Sequence, residues 1–230
     1  MLEVRDLNAW YGDSHILHGV SFDIQEGEVI SLLGRNGAGK TTTMKSIMGL
    51  TPRRTGSVKF RGKELIDART DHVARAGIAF CPEERAIFAS LTVTENLLLP
   101  PRIGQGGLSL QAIYEMFPNL EERGGSQGSK LSGGEQQMLA IARILRTGAR
   151  LLLLDEPTEG LAPIIIHQIG RMIQSIRQQG FTIVLVEQNV RFAAAVADRH
   201  FIVEQGKVTD MIASGSGAAT LERLQASLRI

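Results

Sequence analysis

The sequence is poor in features that mark several classes of protein. Cys81 is its single cysteine, so the chain can form no internal disulfide and no cysteine-based zinc cluster, which fits a reducing compartment. Lys plus Arg (25) and Asp plus Glu (24) almost balance, and a formal net charge of +1 gives no basic excess for a nucleic-acid partner. Hydrophobic residues (43%) and charged residues (21%) are close to the averages for soluble globular chains, which excludes a disordered or fibrous protein.

Long apolar runs are also missing. Residues 181–186 form one of the longest, and they fall far short of the roughly 20 residues that span a bilayer. Residues 1–6 carry acidic side chains where a signal peptide needs a basic and then an apolar stretch. We therefore expect no transmembrane segment and no signal peptide. Any role at a membrane would then require a membrane-embedded partner.

Short apolar runs predict buried β-strands. They cover residues 29–33, 151–154 and 181–186. Helical patterns separate them, at 39–49, 133–146, 163–179 and 189–197. Strands that alternate with helices predict an α/β fold with a parallel sheet. Residues 2–5 and 20–24 instead alternate apolar and polar side chains, which is typical of half-exposed antiparallel strands.

The middle of the chain lacks strand signals. Helical patterns cover 93–99 and 109–117, and the Gly- and Ser-rich stretch 124–129 predicts a flexible tether. The predicted organisation is one domain over 1–230, with an α/β core and antiparallel part from 1–85 and 147–230, and an inserted helical lobe from 86–146.

A glycine-rich segment follows the first buried strand. Residues 34–41 match G-x-x-x-x-G-K-[ST] at every position, between a predicted strand and a predicted helix. Glycines let backbone N–H groups point at phosphate oxygens, Lys40 would neutralise the β- and γ-phosphates, and the Thr41 hydroxyl would bind Mg²⁺. A turn that merely connects two elements is the alternative, which this context disfavours. The candidate binding residues are Gly34, Arg35, Asn36, Gly37, Ala38, Gly39, Lys40, Thr41 and Thr42.

Two carboxylates follow the strand of four leucines. Asp155 and Glu156 would lie at the carboxyl edge of the sheet, where parallel α/β sheets bind ligands. Asp155 is a candidate to hold Mg²⁺ through water, and Glu156 is a candidate to polarise an attacking water. Two solvated carboxylates at a strand end are the alternative, which the phosphate loop in the same chain disfavours.

Residues 131–136, Leu-Ser-Gly-Gly-Glu-Gln, place two glycines at the start of a predicted helix. Gly133 and Gly134 offer N–H groups to an anion, and Ser132 adds a hydroxyl donor. Alone, the segment is better explained as a serine N-cap with a glycine-rich turn. Combined with the phosphate loop and Asp155-Glu156, it resembles the nucleotide-binding subunits of ATP-binding-cassette (ABC) proteins, whose signature it matches.

This resemblance extends over nearly the whole chain and implies an ATPase that uses ATP and Mg²⁺. It implies a head-to-tail dimer with two ATP molecules between the protomers. Lys40 of one protomer and residues 132–134 of the other would then contact the same γ-phosphate. The second subunit would be another copy or a paralogue, and ATP-driven closure would move a membrane partner.

The resemblance also assigns roles to single positions. Tyr11 matches the aromatic that stacks on adenine, although a core aromatic is the alternative and Trp10 is a rival. Glu83 stands where the family usually has a glutamine that reaches Mg²⁺, and Gln188 stands where most members have a histidine that contacts the γ-phosphate. Ala162 replaces an aspartate that communicates across the dimer. The catalytic candidates are Lys40, Glu83, Glu156 and Gln188, and the metal candidates are Thr41, Glu83 and Asp155.

These departures from the family pattern have two interpretations. They could weaken hydrolysis and leave a nucleotide-binding regulator. Alternatively they mark a subfamily, because residues 159–163 and 185–189 resemble the ATPase subunits of branched-chain amino acid importers. Close relatives of that subfamily serve urea or short-chain amides. We therefore expect an importer ATPase, with a soluble ABC protein of repair, cluster assembly or translation as a further alternative.

The importer interpretation implies partners and a location. The partners would be integral-membrane permease subunits and, indirectly, a periplasmic or extracellular solute-binding protein, with no nucleic acid. The chain would lie peripherally on the cytoplasmic face of the inner (cell) membrane. Phe88, Leu91 and residues 97–99 are candidates for permease docking, and ordinary lobe core is the alternative. Residues 216–229 predict a short amphipathic helix that packs on its own domain.

Overall fold

Two β-sheets flanked by helices make up the computed structural model, which describes residues 1–215 and 217–228. The strands are β1 (Leu2–Tyr11), β2 (Ser14–Ile24), β3 (Val29–Leu33), β4 (Arg53–Phe60), β5 (Lys63–Glu64), β6 (Ile78–Cys81), β7 (Leu151–Asp155), β8 (Thr182–Glu187), β9 (Arg199–Glu204) and β10 (Lys207–Ala213). The helices are α1 (Lys40–Ile47), α2 (Thr70–Ala76), α3 (Val93–Leu98), α4 (Leu110–Met116), α5 (Pro118–Glu122), α6 (Gly133–Leu145), α7 (Pro163–Gln178), α8 (Val190–Val196) and α9 (Gly217–Leu228).

The larger sheet has the strand order β10-β9-β3-β8-β7-β6. Its strands pair in parallel from β9 to β6, and β10 pairs antiparallel with β9 at one edge. Every residue of β3, β7 and β8 is buried, as expected when helices cover both faces of a parallel sheet. The α/β fold with a parallel sheet, predicted from the apolar runs, is confirmed.

The smaller sheet is antiparallel, with the order β2-β1-β4-β5. At the start of β1 the side chains of Leu2 and Val4 are buried, whereas those of Glu3 and Arg5 are exposed. This alternation gives the sheet one apolar face. The predicted antiparallel strands at the N-terminus are confirmed, and both extend well beyond the predicted residues.

Alternate leucines of β7 connect the larger sheet to two hydrophobic clusters. Leu151 and Leu153 pack into a cluster shared with α1 and the smaller sheet. Leu152 and Leu154 pack into a second cluster, formed with α6, α7 and α8. Because the sheet is held from both sides, the carboxyl ends of β3, β7 and β8 lie along one fixed edge.

The chain between β6 and β7 (residues 82–150), here called the helical insertion, contains helices and no described strand. Its elements are α3, α4, α5, a 3₁₀ turn at Gly128–Lys130, and α6. Leu97, Ile113 and Leu120 are fully buried and join the cluster that contains α6 and the larger sheet. The insertion therefore shares a continuous core with the α/β part. The exact division into 1–85, 86–146 and 147–230 stays a prediction.

The predicted flexible tether at 124–129 is wrong. The backbone N–H groups of Val93 and Thr94 donate to the carbonyl oxygens of Ser126 (3.0 Å) and Gly124 (3.1 Å). The N–H of Gly128 donates to the Leu91 carbonyl oxygen at 2.9 Å. The glycines in this stretch permit a close backbone approach to the start of α3, which composition alone does not distinguish from a loose linker.

The C-terminal helix α9 packs on its own domain, as predicted. Leu224 and Leu228 join Leu33, Val190 and Ile212 in a third hydrophobic cluster against β3, α8 and β10. The prediction covered 216–229, and residues 216 and 229 lie outside the described residues. Among the described helices, none combines the length and hydropathy needed to cross a bilayer.

Candidate active site

A cavity of about 380 Å³ opens at the carboxyl edge of the larger sheet, beside the first turn of α1. The loops that follow β3, β6, β7 and β8 contribute to its walls, at the edge where parallel α/β sheets bind ligands. It is lined by Tyr11, Ile16, Asn36, Gly37, Ala38, Gly39, Lys40, Thr41, Thr42, Glu83, Glu156, Glu159 and Gln188. The fold thus brings together residues that the sequence separates by as many as 177 positions.

The loop 34–39 joins β3 to α1 and requires glycine at defined points. Gly37 and Gly39 have φ angles of 77° and 105°, in the left-handed region that favours glycine. A Cβ atom on Gly34 would collide with the carbonyl oxygen of Val203 in β9. The loop can therefore follow this path only with these glycines.

Lys40 is the first residue of α1, and its side chain is only 4% exposed. Its Nζ donates to the carbonyl oxygens of Gly34 (2.8 Å) and Arg35 (3.2 Å), and it lies 3.4 Å from Glu156 Oε1. Gly34 and Arg35 do not line the cavity, unlike residues 36–42. They hold the lysine through their backbone, which is a different role from the phosphate contact that the motif predicted for them.

Asp155 ends β7 and is 1% exposed. Its Oδ1 accepts a hydrogen bond from Thr41 Oγ1 at 3.0 Å, while Oδ2 is buried without a hydrogen-bond partner among the described residues. Burial raises the pKa of Asp155 to about 6, against the Thr41 hydrogen bond, and the charges of Glu156 and Glu83 raise it further. A divalent cation at Oδ2 would give this oxygen a partner and would stabilise the ionised form of Asp155. Thr41 and Asp155 therefore fit the predicted Mg²⁺ site.

Glu156 lies in a strained turn. Its φ of 46° is in the left-handed region, where residues other than glycine are uncommon, and its N–H donates to the Val186 carbonyl oxygen at 2.9 Å. One carboxylate oxygen faces Lys40, and the other accepts a hydrogen bond from Gln188 Nε2. The turn therefore directs the carboxylate into the cavity, between a cation and an amide.

Two more carboxylates line the cavity. Glu83 lies in the loop after β6, and Glu159 lies in the turn after Glu156. A hydrogen bond to Glu156 raises the pKa of Glu159 to about 7, and burial and the charges of Glu156 and Glu83 add to the rise. The sequence motifs included Glu159 only in the subfamily segment 159–163 and gave it no role at the site. Its position three residues after Glu156 was the available signal, because one turn keeps both on the same side.

Tyr11 ends β1 at the rim of the cavity and is 41% exposed. The rival Trp10 does not line the cavity. Its ring stacks on His15 with centroids 4.3 Å apart, and the Arg53 guanidinium lies 4.4 Å from its centroid. Tyr11 is therefore the aromatic side chain among the cavity-lining residues, and its partly exposed ring is available to a base.

The signature residues do not reach this cavity. Ser132 is the N-cap of α6, and its hydroxyl and backbone form a capping box with Glu135. A Cβ atom on Gly134 would lie 2.9 Å from Ile165 Cγ1, so this glycine permits the contact between α6 and α7. Ser132, Gly133 and Gly134 are thus presented elsewhere on the chain and are not among the lining residues.

The chain is similar to known ABC ATPases. Residues 17–159 match the family model described as ABC transporter. The chain is 40% identical to the high-affinity branched-chain amino acid transport ATP-binding protein BraG of Pseudomonas aeruginosa, with 96% of this chain and 95% of that protein covered. It is 34% identical to the lipopolysaccharide export system ATP-binding protein LptB of Escherichia coli, with 96% and 92% covered. A solved ATP-binding subunit of an ABC transporter matches with a TM-score of 0.80 at 29% identity, covering 98% of this chain and 99% of that one.

The family match includes the phosphate loop, the signature and the acidic end of β7. The relatives align with the chain over nearly their full lengths, so the match concerns whole subunits and not an isolated motif. The chain belongs to the ABC transporter family and is an ATP-binding, ATP-hydrolysing subunit of a transporter.

Proposed function

We propose that this ATPase powers the import of branched-chain amino acids through permease subunits in the cell membrane. The observation that carries the solute class is the 40% identity to BraG over nearly the full length of both chains. The chain itself contacts no solute in this proposal. It supplies the energy, and its partners select the cargo.

Hydrolysis in this proposal depends on residues that converge on the cavity. Glu156 orients the water that attacks the γ-phosphate and accepts a proton from it. Gln188 holds the Glu156 carboxylate in place through a hydrogen bond. Lys40 stabilises negative charge that spreads over the phosphate oxygens. Thr41 and Asp155 would hold Mg²⁺, with Glu83 beside them, and the bound ion would neutralise charge on the phosphates.

The placement of the signature supports a two-subunit site. Ser132, Gly133 and Gly134 lie outside the cavity that contains Lys40. They can contact a nucleotide bound in this cavity only if they belong to a second subunit. We therefore propose a dimer with either a second copy or a paralogous ATPase.

An exposed apolar patch on the helical insertion supports permease docking. Phe88, Leu98 and Leu99 are 45%, 55% and 51% exposed. Leu91 is half-buried, and Leu97 is fully buried, so the prediction that Leu97 takes part in docking is wrong. Binding of this patch to a permease would place the chain on the cytoplasmic face of the inner (cell) membrane. A solute-binding protein would act indirectly, and no nucleic acid takes part.

The similarity to LptB favours a second candidate function. At 34% identity over nearly the whole chain, that relative belongs to an export system for lipopolysaccharide. An ATPase subunit of an exporter would use the same cavity and the same patch. Urea or short-chain amides are the further import substrates to test.

Transport assays on the purified complex distinguish these candidates. The tagged chain would be isolated from membranes of its own host with its co-purifying permease subunits and reconstituted in vesicles with the solute-binding protein. Labelled leucine, urea and acetamide would be supplied, with the Glu156→Gln complex as control. We expect ATP-dependent uptake of leucine only. Uptake of urea or acetamide alone, or co-purification of lipopolysaccharide export components, would contradict the proposal.

A further inference from the structure

Glu187 is a buried carboxylate beside the active site that the ABC motifs do not explain. It is the last residue of β8 and is 2% exposed. It directly precedes Gln188 but does not line the cavity. Burying an ionisable group so deeply lowers the stability of the fold unless hydrogen bonds or a partner charge compensate for the lost hydration.

Its two oxygens bind two different loops. Glu187 Oε1 accepts hydrogen bonds from the Thr158 backbone N–H (3.2 Å) and the Thr158 hydroxyl (2.8 Å). Glu187 Oε2 accepts a hydrogen bond from the Asn189 backbone N–H at 3.2 Å. One carboxylate therefore ties the turn that follows Glu156 to the turn that contains Gln188.

These two turns need such a restraint. Glu156 holds a left-handed φ of 46°, and strained backbone persists only where its surroundings fix it. Thr158 follows Glu156 by two residues, and Asn189 follows Gln188 by one. The hydrogen bond between Gln188 and Glu156 spans the same two turns on the cavity side.

We propose that Glu187 is a positioning residue that holds Glu156 and Gln188 in the geometry required for attack on the γ-phosphate. It acts through Thr158 and Asn189 and touches no substrate atom. The proposal rests on the proposed roles of Glu156 and Gln188 in hydrolysis. It adds that their alignment depends on a carboxylate outside the cavity.

The chemistry of the three donors requires a carboxylate at this position. An ionised carboxylate accepts at both oxygens and donates at neither. Glutamine has nearly the same shape, but its NH₂ group would face an N–H donor from Thr158 or Asn189. Glu187→Gln therefore breaks one of the two connections while conserving the volume of the core.

Two variants test the proposal from opposite ends of the same contact. Glu187→Gln alters the acceptor, and Thr158→Val removes the hydroxyl donor without changing the shape. Thr158→Ser keeps the hydroxyl and serves as the rescue control. Glu204→Gln makes the same chemical change as Glu187→Gln at the exposed end of β9 in the same sheet, so it controls for loss of charge.

The kinetic readout separates positioning from folding. We expect kcat to fall about tenfold or more in Glu187→Gln and Thr158→Val, because small misplacements of catalytic groups cost rates of this order. ATP affinity should stay at the wild-type value, and Thr158→Ser and Glu204→Gln should keep wild-type kcat. Unchanged kcat in both test variants, or equal losses of kcat and ATP affinity, would overturn the proposal.

A second readout does not depend on catalysis. Hydrogen exchange at the backbone amides of Thr158 and Asn189 should accelerate in Glu187→Gln, while exchange in the core strands stays at the wild-type rate. Wild-type exchange at both amides would overturn the positioning role even if the variant were inactive. A wild-type chain that fails to hydrolyse ATP would refute the proposed function, and the exchange result would still decide the role of Glu187.

Discussion

At the scale of single residues, the cavity concentrates negative charge. Glu83, Glu156 and Glu159 line it, Asp155 is buried at its base, and Lys40 is the basic side chain among the lining residues. The buried Oδ2 of Asp155 has no partner among the described residues. Such a site favours a bound cation and lowers the stability of the unliganded chain, a compromise often found at active sites.

This compromise predicts opposite effects of Asp155→Asn on stability and activity. The amide keeps an acceptor for Thr41 but removes the buried charge. Without nucleotide and Mg²⁺, its free energy of unfolding should exceed that of the wild type by about 1 kcal/mol or more. Mg²⁺-dependent ATP hydrolysis should fall by about 100-fold or more, because the metal ligand is lost.

Urea unfolding and steady-state hydrolysis measure the two effects. Asp210→Asn, at an exposed position of β10, is the matched control and should change neither. A less stable Asp155→Asn chain, or one that hydrolyses ATP at the wild-type rate, would show that Asp155 has a structural role instead.

At the scale of elements, α7 begins without a side-chain cap. Ala162 is its N-cap residue, with extended backbone angles, and Pro163 follows at the first helical position. Pro163 suits that position because the first helical residue has no intrahelical acceptor for an N–H, so proline loses no hydrogen bond there. The N–H of Ile165 donates to the Ala162 carbonyl oxygen at 2.9 Å, but Ala162 has no side-chain oxygen to accept from the N–H of Ile164.

The uncapped start predicts that Ala162→Asp stabilises the chain. An aspartate at the N-cap can accept from the first-turn N–H of Ile164, and its negative charge interacts favourably with the positive end of the helix dipole, so the free energy of unfolding should rise by about 1 kcal/mol. Ala162→Ser should stabilise less or equally, and Ala162→Val, which cannot cap, should not stabilise. Chemical denaturation of the three variants checks this. If valine stabilises as much as aspartate, capping is not the cause.

At the scale of the whole molecule, a buried histidine joins the strand before the phosphate loop to the C-terminal part of the fold. His200 in β9 contacts Ser31 Oγ through Nδ1 (2.7 Å) and Ser214 Oγ through Nε2 (2.9 Å). The Ser214 hydroxyl donates to the Ala197 carbonyl oxygen, so it accepts from His200. This arrangement requires a neutral imidazole with its proton on Nε2. Burial lowers the pKa of His200 to about 4, although the charge of Asp198 opposes the shift.

The His200 arrangement predicts lower stability in weak acid. The unfolded histidine binds a proton as the pH falls below 6.5, whereas the folded one stays neutral until about 4. The contribution of His200 to the free energy of unfolding is therefore fully present above pH 6.5 and is lost as the pH falls toward 4. At roughly 1.4 kcal/mol per pH unit, the loss amounts to up to about 3 kcal/mol. Urea unfolding between pH 7 and 4.5 measures it. His200→Gln should be less stable at pH 7 but should show a shallower pH slope, and an unchanged slope would exclude His200 as the source.

The fold could be predicted from the sequence where fully buried strands form continuous runs of apolar residues. Apolar runs identified β3, β7 and β8, because both faces of these strands are covered. Strand β4 was missed, since Arg53–Phe60 is largely polar and half-exposed. The pattern also could not separate buried Leu97 from exposed Leu98 and Leu99. Which face of a short helix points inward depends on tertiary contacts.

The site was predictable where local chemistry fixes the residue type. The phosphate loop and Asp155-Glu156 follow buried strands, so Lys40 and both carboxylates were expected at one edge, and the structure brings them together there. Glu159 and Glu187 were missed for a physical reason. The contact between Glu187 and Thr158 joins residues 29 positions apart, and no spacing rule along the chain predicts it.

In the mechanism that we propose, hydrolysis uses Glu156 and needs two subunits. The most direct test is the steady-state rate of Mg²⁺-dependent ATP hydrolysis per chain, measured against protein concentration for the wild type and Glu156→Gln. We expect a wild-type rate per chain that rises with concentration, and a Glu156→Gln variant that binds ATP without turnover. A rate per chain that is independent of concentration, or repeated turnover by Glu156→Gln, would contradict it.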